Sequence, residues 1–163
     1  MKHVIIPTDF TARSLQPVHD VMRHYKGQLV RITLLHLVDV PDAIGDLLFR
    51  LRRMESRYPI PAAFSQACEM MINKYEDQLT AIKPLVQYGT TAAYFENLME
   101  GFGTDAIFMQ ADYQLARPFE DSVDMNYVIK KSKCKCPVLE TVPAQKMRSV
   151  DVSSMSNLLL ANS

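Results

Sequence analysis

The chain has 163 residues, with 18 Lys+Arg balancing 18 Asp+Glu for a formal net charge of +0. That length suits one domain, and the charge balance supplies no basic footprint for nucleic acid. No apolar run reaches the ~18 residues that a membrane span requires; with 48% hydrophobic and 22% charged residues, the composition reads as an ordinary globular protein with neither nucleic acid nor membrane as partner.

His3-Val4-Ile5-Ile6 is a short apolar run ended by Pro7, the pattern of a buried strand. Because this strand-like segment begins at once, no secretory leader is expected, and the odd number of cysteines, 3, suits a reduced, cytoplasmic compartment. Thr8-Asp9-Phe10-Thr11 is polar turn material. From about Arg13 to Lys26, Leu15, Val18, Val21, Met22 and Tyr25 recur at helical spacing, and Gly27 stands where a C-terminal cap belongs. Val30 to Val40 reads as a second strand, whose near-continuous apolar centre implies burial on both faces, as in a parallel sheet covered by helices. Asp42 can cap the next helix, where Ile44, Leu47, Leu48, Leu51 and Met54 form one stripe. Arg50, Arg52, Arg53 and Arg57 crowd elsewhere on it, as a solvated face or as a grip on an anionic ligand or partner. The Ile44/Leu48/Leu51 stripe is expected to pack over the crevice at the carboxyl edge of the sheet or against a partner subunit.

Tyr58-Pro59-Ile60-Pro61 breaks that helix, and another follows from about Ala62 to Leu79. Ile82 to Tyr88 reads as a third strand, with Pro84 favouring an edge or a strand start. Gly89 makes a turn, and Thr90 or Thr91 caps a helix running to about Glu100. Ala106-Ile107-Phe108-Met109 is a fourth strand, Phe119 to about Lys133 a helix, and Pro137 to Val142 a fifth strand. This alternation predicts an α/β fold: a doubly wound, five-stranded, mainly parallel sheet with helices on both faces and right-handed crossovers. One domain is expected over residues 1–143. Residues 144–163, which carry Leu158-Leu159-Leu160, form a tail that is either disordered or a strap docked on the body or on a partner.

Four stretches, in their order and spacing, resemble the universal stress protein family over about residues 2 to 142. Pro7-Thr8-Asp9-Phe10 with Ser14 is similar to the family's first strand-to-helix loop, and Leu35-His36-Leu37-Val38-Asp39 to its second strand. Tyr88-Gly89 leading to Thr104-Asp105-Ala106-Ile107-Phe108-Met109 resembles its third strand, helix and fourth strand. Ser122-Val123, Val128-Ile129-Lys130-Lys131 and Cys136-Pro137-Val138-Leu139 resemble its last helix and strand. The resemblance implies a UspA-like fold of the adenine nucleotide alpha hydrolase-like class. It implies a nucleotide pocket drawn from Pro7, Thr8, Asp9, Leu37, Met109, Ser122 and Val123. It also implies a homodimer joined through the last strand, residues 136–142, and a stress-response role exercised through regulatory protein partners.

Nucleotide-binding members of the family carry Gly-x2-Gly-x9-Gly-Ser/Thr after the fourth strand, where glycines let backbone N–H groups close on phosphates. This chain has 5 glycines, and none follows Gly103. Gln110-Ala111-Asp112-Tyr113 stands where the family has glycines, and the final Gly-Ser becomes Asp121-Ser122, so a carboxylate faces the expected phosphate position. The implied site is degenerate: no cofactor is required, and an adenine nucleotide binds weakly or not at all.

Each candidate also has a plain structural reading. Asp9 serves equally as a helix N-cap or turn carboxylate. Ser122 reads as a helix-start or surface hydroxyl, and His36 as a satisfied core histidine. His3, His19 and His24 have no catalytic spacing with Cys or Ser. Cys134-Lys135-Cys136 is Cys-x-Cys rather than Cys-x2-Cys, Cys68 has no nearby His, and no metal site is expected. Gly101-Phe102-Gly103 precedes a strand, so it is a helix cap and turn rather than a dinucleotide fingerprint. Two function classes remain: a binding or regulatory module without chemistry, and a nucleotide-binding protein or slow ATPase. The missing glycines favour the first, and no Ser/His/Asp set or paired acid supports a hydrolase or ligase-like enzyme.

Overall fold

A computed structural model describes residues 1–142 of the chain. The tail expected over residues 144–163 lies outside the described residues. The elements are β1 (Lys2–Pro7), a 3-10 turn (Ala12–Leu15), α1 (Pro17–His24), β2 (Val30–Val38), α2 (Ile44–Arg52), α3 (Met54–Arg57), α4 (Ala62–Lys74), β3 (Leu79–Tyr88), α5 (Ala92–Gly101), β4 (Ala106–Gln110), α6 (Met125–Lys131) and β5 (Val138–Thr141). The five strands form one sheet in the order β3-β2-β1-β4-β5, and every neighbouring pair is parallel. The chain winds outward from β1 to β3, then crosses back to β4 and β5. The switch point therefore lies between β1 and β4, where doubly wound sheets open a crevice at the carboxyl ends of their strands.

Alternation along the central strands builds two cores. Val4, Ile6, Ile32 and Leu34 face one side and pack with Leu15, Val18, Val21, Phe64 and Cys68, under α1 and α4. Ile5, Leu35, Leu37, Ile107 and Met109 face the other and pack with Phe95, Met99, Met125, Val128 and Ile129, under α5 and α6. A side chain as fully buried as Phe95 contributes about 1.5–3 kcal/mol relative to exposure. Pro84 lies on β3, an edge strand, where its missing N–H leaves no ladder bond unmade.

Several expected boundaries move, each for a local reason. The helix expected from Arg13 to Lys26 is a 3-10 turn followed by α1, because Pro17 lacks an N–H and fits only the first helical position. Gly27 follows it at φ +81, the left-handed geometry that a side chain resists. Asp42 does not cap α2: Ala43 holds that place, without a side-chain bond. The helix expected from Phe119 is confined to Met125–Lys131, capped by Asp124 accepting from the Tyr127 N–H at 3.2 Å. Residues 121–123 instead run antiparallel beside the end of β2: the Asp39 N–H donates to the Asp121 carbonyl at 2.8 Å, and the Val123 N–H to the Leu37 carbonyl at 2.9 Å. Those backbone groups are spent on the sheet edge and cannot serve a helix.

The apolar stripe of α2 does not cover the crevice of its own chain. Ile44 is 78% exposed and Leu48 57% exposed, and Leu51 is exposed as well. The helix anchors through Leu47, and α3 through Met54, both against Val38, Tyr58 and Tyr88. Gly89 is required by close approach: a Cβ there would lie 2.1 Å from the Tyr94 ring.

Candidate functional site

The candidate site is built where the first loop leaves β1. Thr8 donates its N–H to the Leu35 carbonyl at 3.0 Å, fixing the loop to β2. The Thr8 hydroxyl accepts from the Phe10 N–H at 3.0 Å and meets the Ser14 hydroxyl at 2.7 Å, so the loop closes on itself. Phe10 takes a left-handed backbone, φ 59, and its ring is buried against His36, Phe64 and Phe119. That conformation costs roughly 1–2 kcal/mol for a non-glycine residue, and the buried ring offsets it.

Asp9 is 2% exposed, and its carboxylate is fully engaged. One oxygen accepts from the Thr11 N–H at 3.1 Å and the Thr11 hydroxyl at 2.6 Å. The other accepts from the Tyr113 hydroxyl at 2.6 Å and the Ala116 N–H at 2.9 Å. A carboxylate offers about four lone-pair sites, and all are taken. Burial pushes the carboxyl up, but these bonds together outweigh it and hold the group below its ordinary 3.8. Asp9 is thus a turn carboxylate that also pins a distant loop.

That loop leaves β4 through Asp112, at φ 56, a geometry that Asp tolerates better than most side chains. It folds back so that Tyr113 covers Asp9, with the Arg13 guanidinium 4.5 Å from the ring centroid. The Gln110 amide donates to the Arg13 carbonyl at 2.6 Å, and the Asn126 amide to the Tyr113 carbonyl at 2.9 Å. Between Pro7, Pro17, Gln110, Tyr113, Leu115 and Asn126 a cavity of about 10 Å³ remains, too small for an adenine ring; a wider cavity of about 280 Å³ shares Gln110, Tyr113 and Asn126 and is lined by Met109, Ala111 and Lys130.

The expected phosphate side is filled in the same manner. Asp121 does not stand bare: the Tyr58 hydroxyl donates to it, and the guanidinium groups of Arg50 and Arg57 lie 3.5 and 3.9 Å away. Two of the arginines expected on a solvated face therefore grip a carboxylate of their own chain. Burial raises the Tyr58 phenol, and its hydrogen bond to Asp121 raises it further.

Ser122 and His36 meet under this layer. The His36 Nδ1–H donates to the Thr8 carbonyl at 2.7 Å, since a carbonyl can only accept. Nε2 is then the acceptor of a hydrogen bond from the Ser122 hydroxyl at 2.8 Å, while Ser122 Oγ accepts from the Phe119 N–H at 3.1 Å. Burial lowers the His36 pKa, keeping the ring neutral. Ser122 is 2% exposed and the rings of Phe10 and Phe119 flank His36, so this pair ties three segments together and presents no nucleophile.

Of the residues expected at the site, the structure gathers Pro7, Thr8, Asp9, Leu37, Ser122 and Val123 around the ends of β1 and β2. Met109 packs with Ile5 and Leu37 in the core under α5 and α6. Thr11, Tyr58 and Tyr113 were not legible as site residues, and Arg50 and Arg57 were offered only as a solvated face or as a grip on an anionic ligand or partner. Tyr113 carried a signal of its own, a bulky residue where glycine was expected. Among the described residues, no group of three or more His, Cys, Asp or Glu could hold a metal ion, and no helix is long and apolar enough to cross a membrane.

No protein-family model matches the chain, and no curated protein matches it in sequence. Solved structures do. The universal stress protein UspA from Lactobacillus plantarum aligns with a TM-score of 0.53 at 14% identity, covering 85% of this chain and 96% of that one. The hypothetical protein MJ0577 aligns with a TM-score of 0.52 at 21% identity, covering 86% and 95%. The hypothetical protein PH0823 gives 0.52 at 18% identity, covering 88% and 96%. At these identities the likeness establishes a UspA-like α/β fold.

Proposed function

We propose that this chain, with its UspA-like fold, is a universal stress protein family member acting as a dimeric regulatory module in stress response, with ATP binding impaired and no chemistry of its own. The observation that carries this reading is the occupancy of Asp9. Every lone-pair site of the one acid that nucleotide-binding relatives would use is held by Thr11, Tyr113 and Ala116. A ribose hydroxyl would have to displace two hydrogen bonds to a charged group, each worth roughly 1.5–3 kcal/mol. The phosphate side supports the same reading. A triphosphate would have to expel Asp121 from Arg50, Arg57 and Tyr58, and no glycine amides replace that grip.

Homodimerisation rests on β5. It is an edge strand, and Val138 within it and Val142 just after it are exposed. An open edge with an apolar face invites pairing with its twin across a two-fold axis.

Calorimetry at physiological magnesium tests the nucleotide reading. The expected result is no saturable ATP binding at low-micromolar concentrations, with adenosine binding no more weakly than ATP. Low-micromolar ATP with much weaker adenosine would favour the other function class, a nucleotide-binding protein or slow ATPase.

A further inference from the structure

At the opposite, amino edge of the sheet, Cys134 and Cys136 lie on the connection from α6 to β5. Both line one cavity of about 340 Å³, together with Met99, Thr104, Glu96 and Glu100. The two thiols are electrostatic neighbours, and the Cys134 thiol reaches the Ser132 hydroxyl at 3.5 Å. The Met99 sulfur, on α5, accepts from the Thr104 hydroxyl at 3.7 Å on the wall of the same cavity. Three sulfurs therefore line one half-buried space, backed by the α5–α6 core.

The remaining polar groups narrow what that space can hold. Glu96 accepts from the Lys133 backbone N–H, and Glu100 pairs with Lys135 at 3.6 Å, so both carboxylates are engaged. Among the described residues, no third His, Cys, Asp or Glu joins the thiols. Zinc asks for four donors in a structural site and magnesium for oxygen. Thiolate and thioether donors in low coordination select soft d10 cations instead.

We propose that Cys134 and Cys136, assisted by the Met99 thioether, form a binding site for a soft monovalent cation, Cu(I), in two- or three-coordinate geometry. Binding involves no electron transfer: two Cu–S bonds form, two S–H bonds break, and two protons pass to solvent. The resulting bis-thiolate centre carries one negative charge, next to Lys133 and Lys135 on the cavity wall. Burial lifts the Cys136 thiol above its ordinary range, and the Cys134 thiol lifts it further. Affinity therefore falls on acidification, by up to about 100-fold per pH unit while both thiols are protonated in the free chain.

The test is an anaerobic titration of the reduced full chain with Cu(I), with bicinchoninate as competitor. The expected result is one tightly held Cu(I) per chain, sulfur-only ligation by X-ray absorption, and the stated pH dependence. Cys134→Ser and Cys136→Ser should each weaken binding by about 100-fold or more, and Met99→Leu by about tenfold. Cys68→Ser should change nothing, since Cys68 is buried in the other core with its thiol pushed up to about 11. Wild-type affinity in either Cys134→Ser or Cys136→Ser would overturn the proposal. So would equally tight Zn(II) binding, or loss of Cu(I) in Cys68→Ser. Should a serine variant melt early, alkylating both thiols of the folded wild-type chain gives the same reading: retained Cu(I) binding then overturns the site.

Discussion

At the scale of single residues, Asp9 and His36 hold the carboxyl edge together by opposite means. Asp9 is kept charged by four donors; His36 is kept neutral by burial. Tyr113→Phe removes one donor to Asp9 and leaves the ring over Arg13. It should lower the unfolding free energy in urea by about 1.5–3 kcal/mol, whereas a solvated Tyr113 would cost nothing measurable. The pH dependence has one sign for both groups. A folded pKa depressed below the unfolded one means that the unfolded chain binds more protons as pH falls. The His36 contribution is complete above its ordinary 6.5 and is lost as pH falls through the lower folded value. The Asp9 contribution is complete above 3.8 and is lost in the same way at lower pH. His19 is also held down by burial, so the comparison is made in a His19→Gln background. There, melting temperature should fall between pH 7 and 5 with His36 present, and the slope should flatten in His36→Asn. An unchanged slope would remove His36 as its source.

At the scale of elements, the arm formed by α2 and α3 is held at two points. One is apolar, where Leu47 and Met54 meet Val38, Tyr58 and Tyr88. The other is ionic, where Arg50, Arg57 and Tyr58 converge on Asp121. Asp121→Asn removes the charge that both arginines share. Partly exposed ion pairs are worth at most about 1 kcal/mol each, so global stability should barely move. The arm itself should open more often, and trypsin should cut faster within residues 50–57 of the folded protein. Equal cleavage rates would show that the apolar anchor alone suffices. Leu48 projects from the same arm into solvent. Leu48→Asp should shift unfolding free energy by no more than about 0.5 kcal/mol; a larger loss would mean that something covers this face in solution.

At the scale of the molecule, the two cores lie on the two sides of a fully parallel sheet, and among the described residues its edge strands are β3 and β5. Pro84 and Lys83 guard the first edge, the usual means of discouraging edge pairing. No proline or lysine lies within β5. Light scattering should therefore report twice the 18.6 kDa chain mass. Leu139→Pro would place a proline in the middle of the strand that pairs. A mass of one chain at high concentration would dismiss β5 as an interface.

Taken by itself, the sequence determined the strands, their succession along the chain and the doubly wound plan, while their order in the sheet came from the fold. Val4-Ile5-Ile6 and Leu34-Leu35 are apolar on both faces, and only a parallel sheet covered by helices buries such runs. It also showed that glycines are absent from the loop after β4, because glycine is a local requirement of the backbone. Its local signals failed where tertiary partners outbid helical pattern, as when residues 121–123 bonded to β2 instead of extending α6. What replaced the missing glycines was decided only in three dimensions. Tyr113 meets Asp9 across 104 positions of sequence, and Tyr58 meets Asp121 across 63. Neither pair has a period or a spacing that a linear pattern could betray, because the partners are brought together by strand order alone. A carboxylate read in sequence as a repulsive charge thus became, once folded, the anchor of an arm.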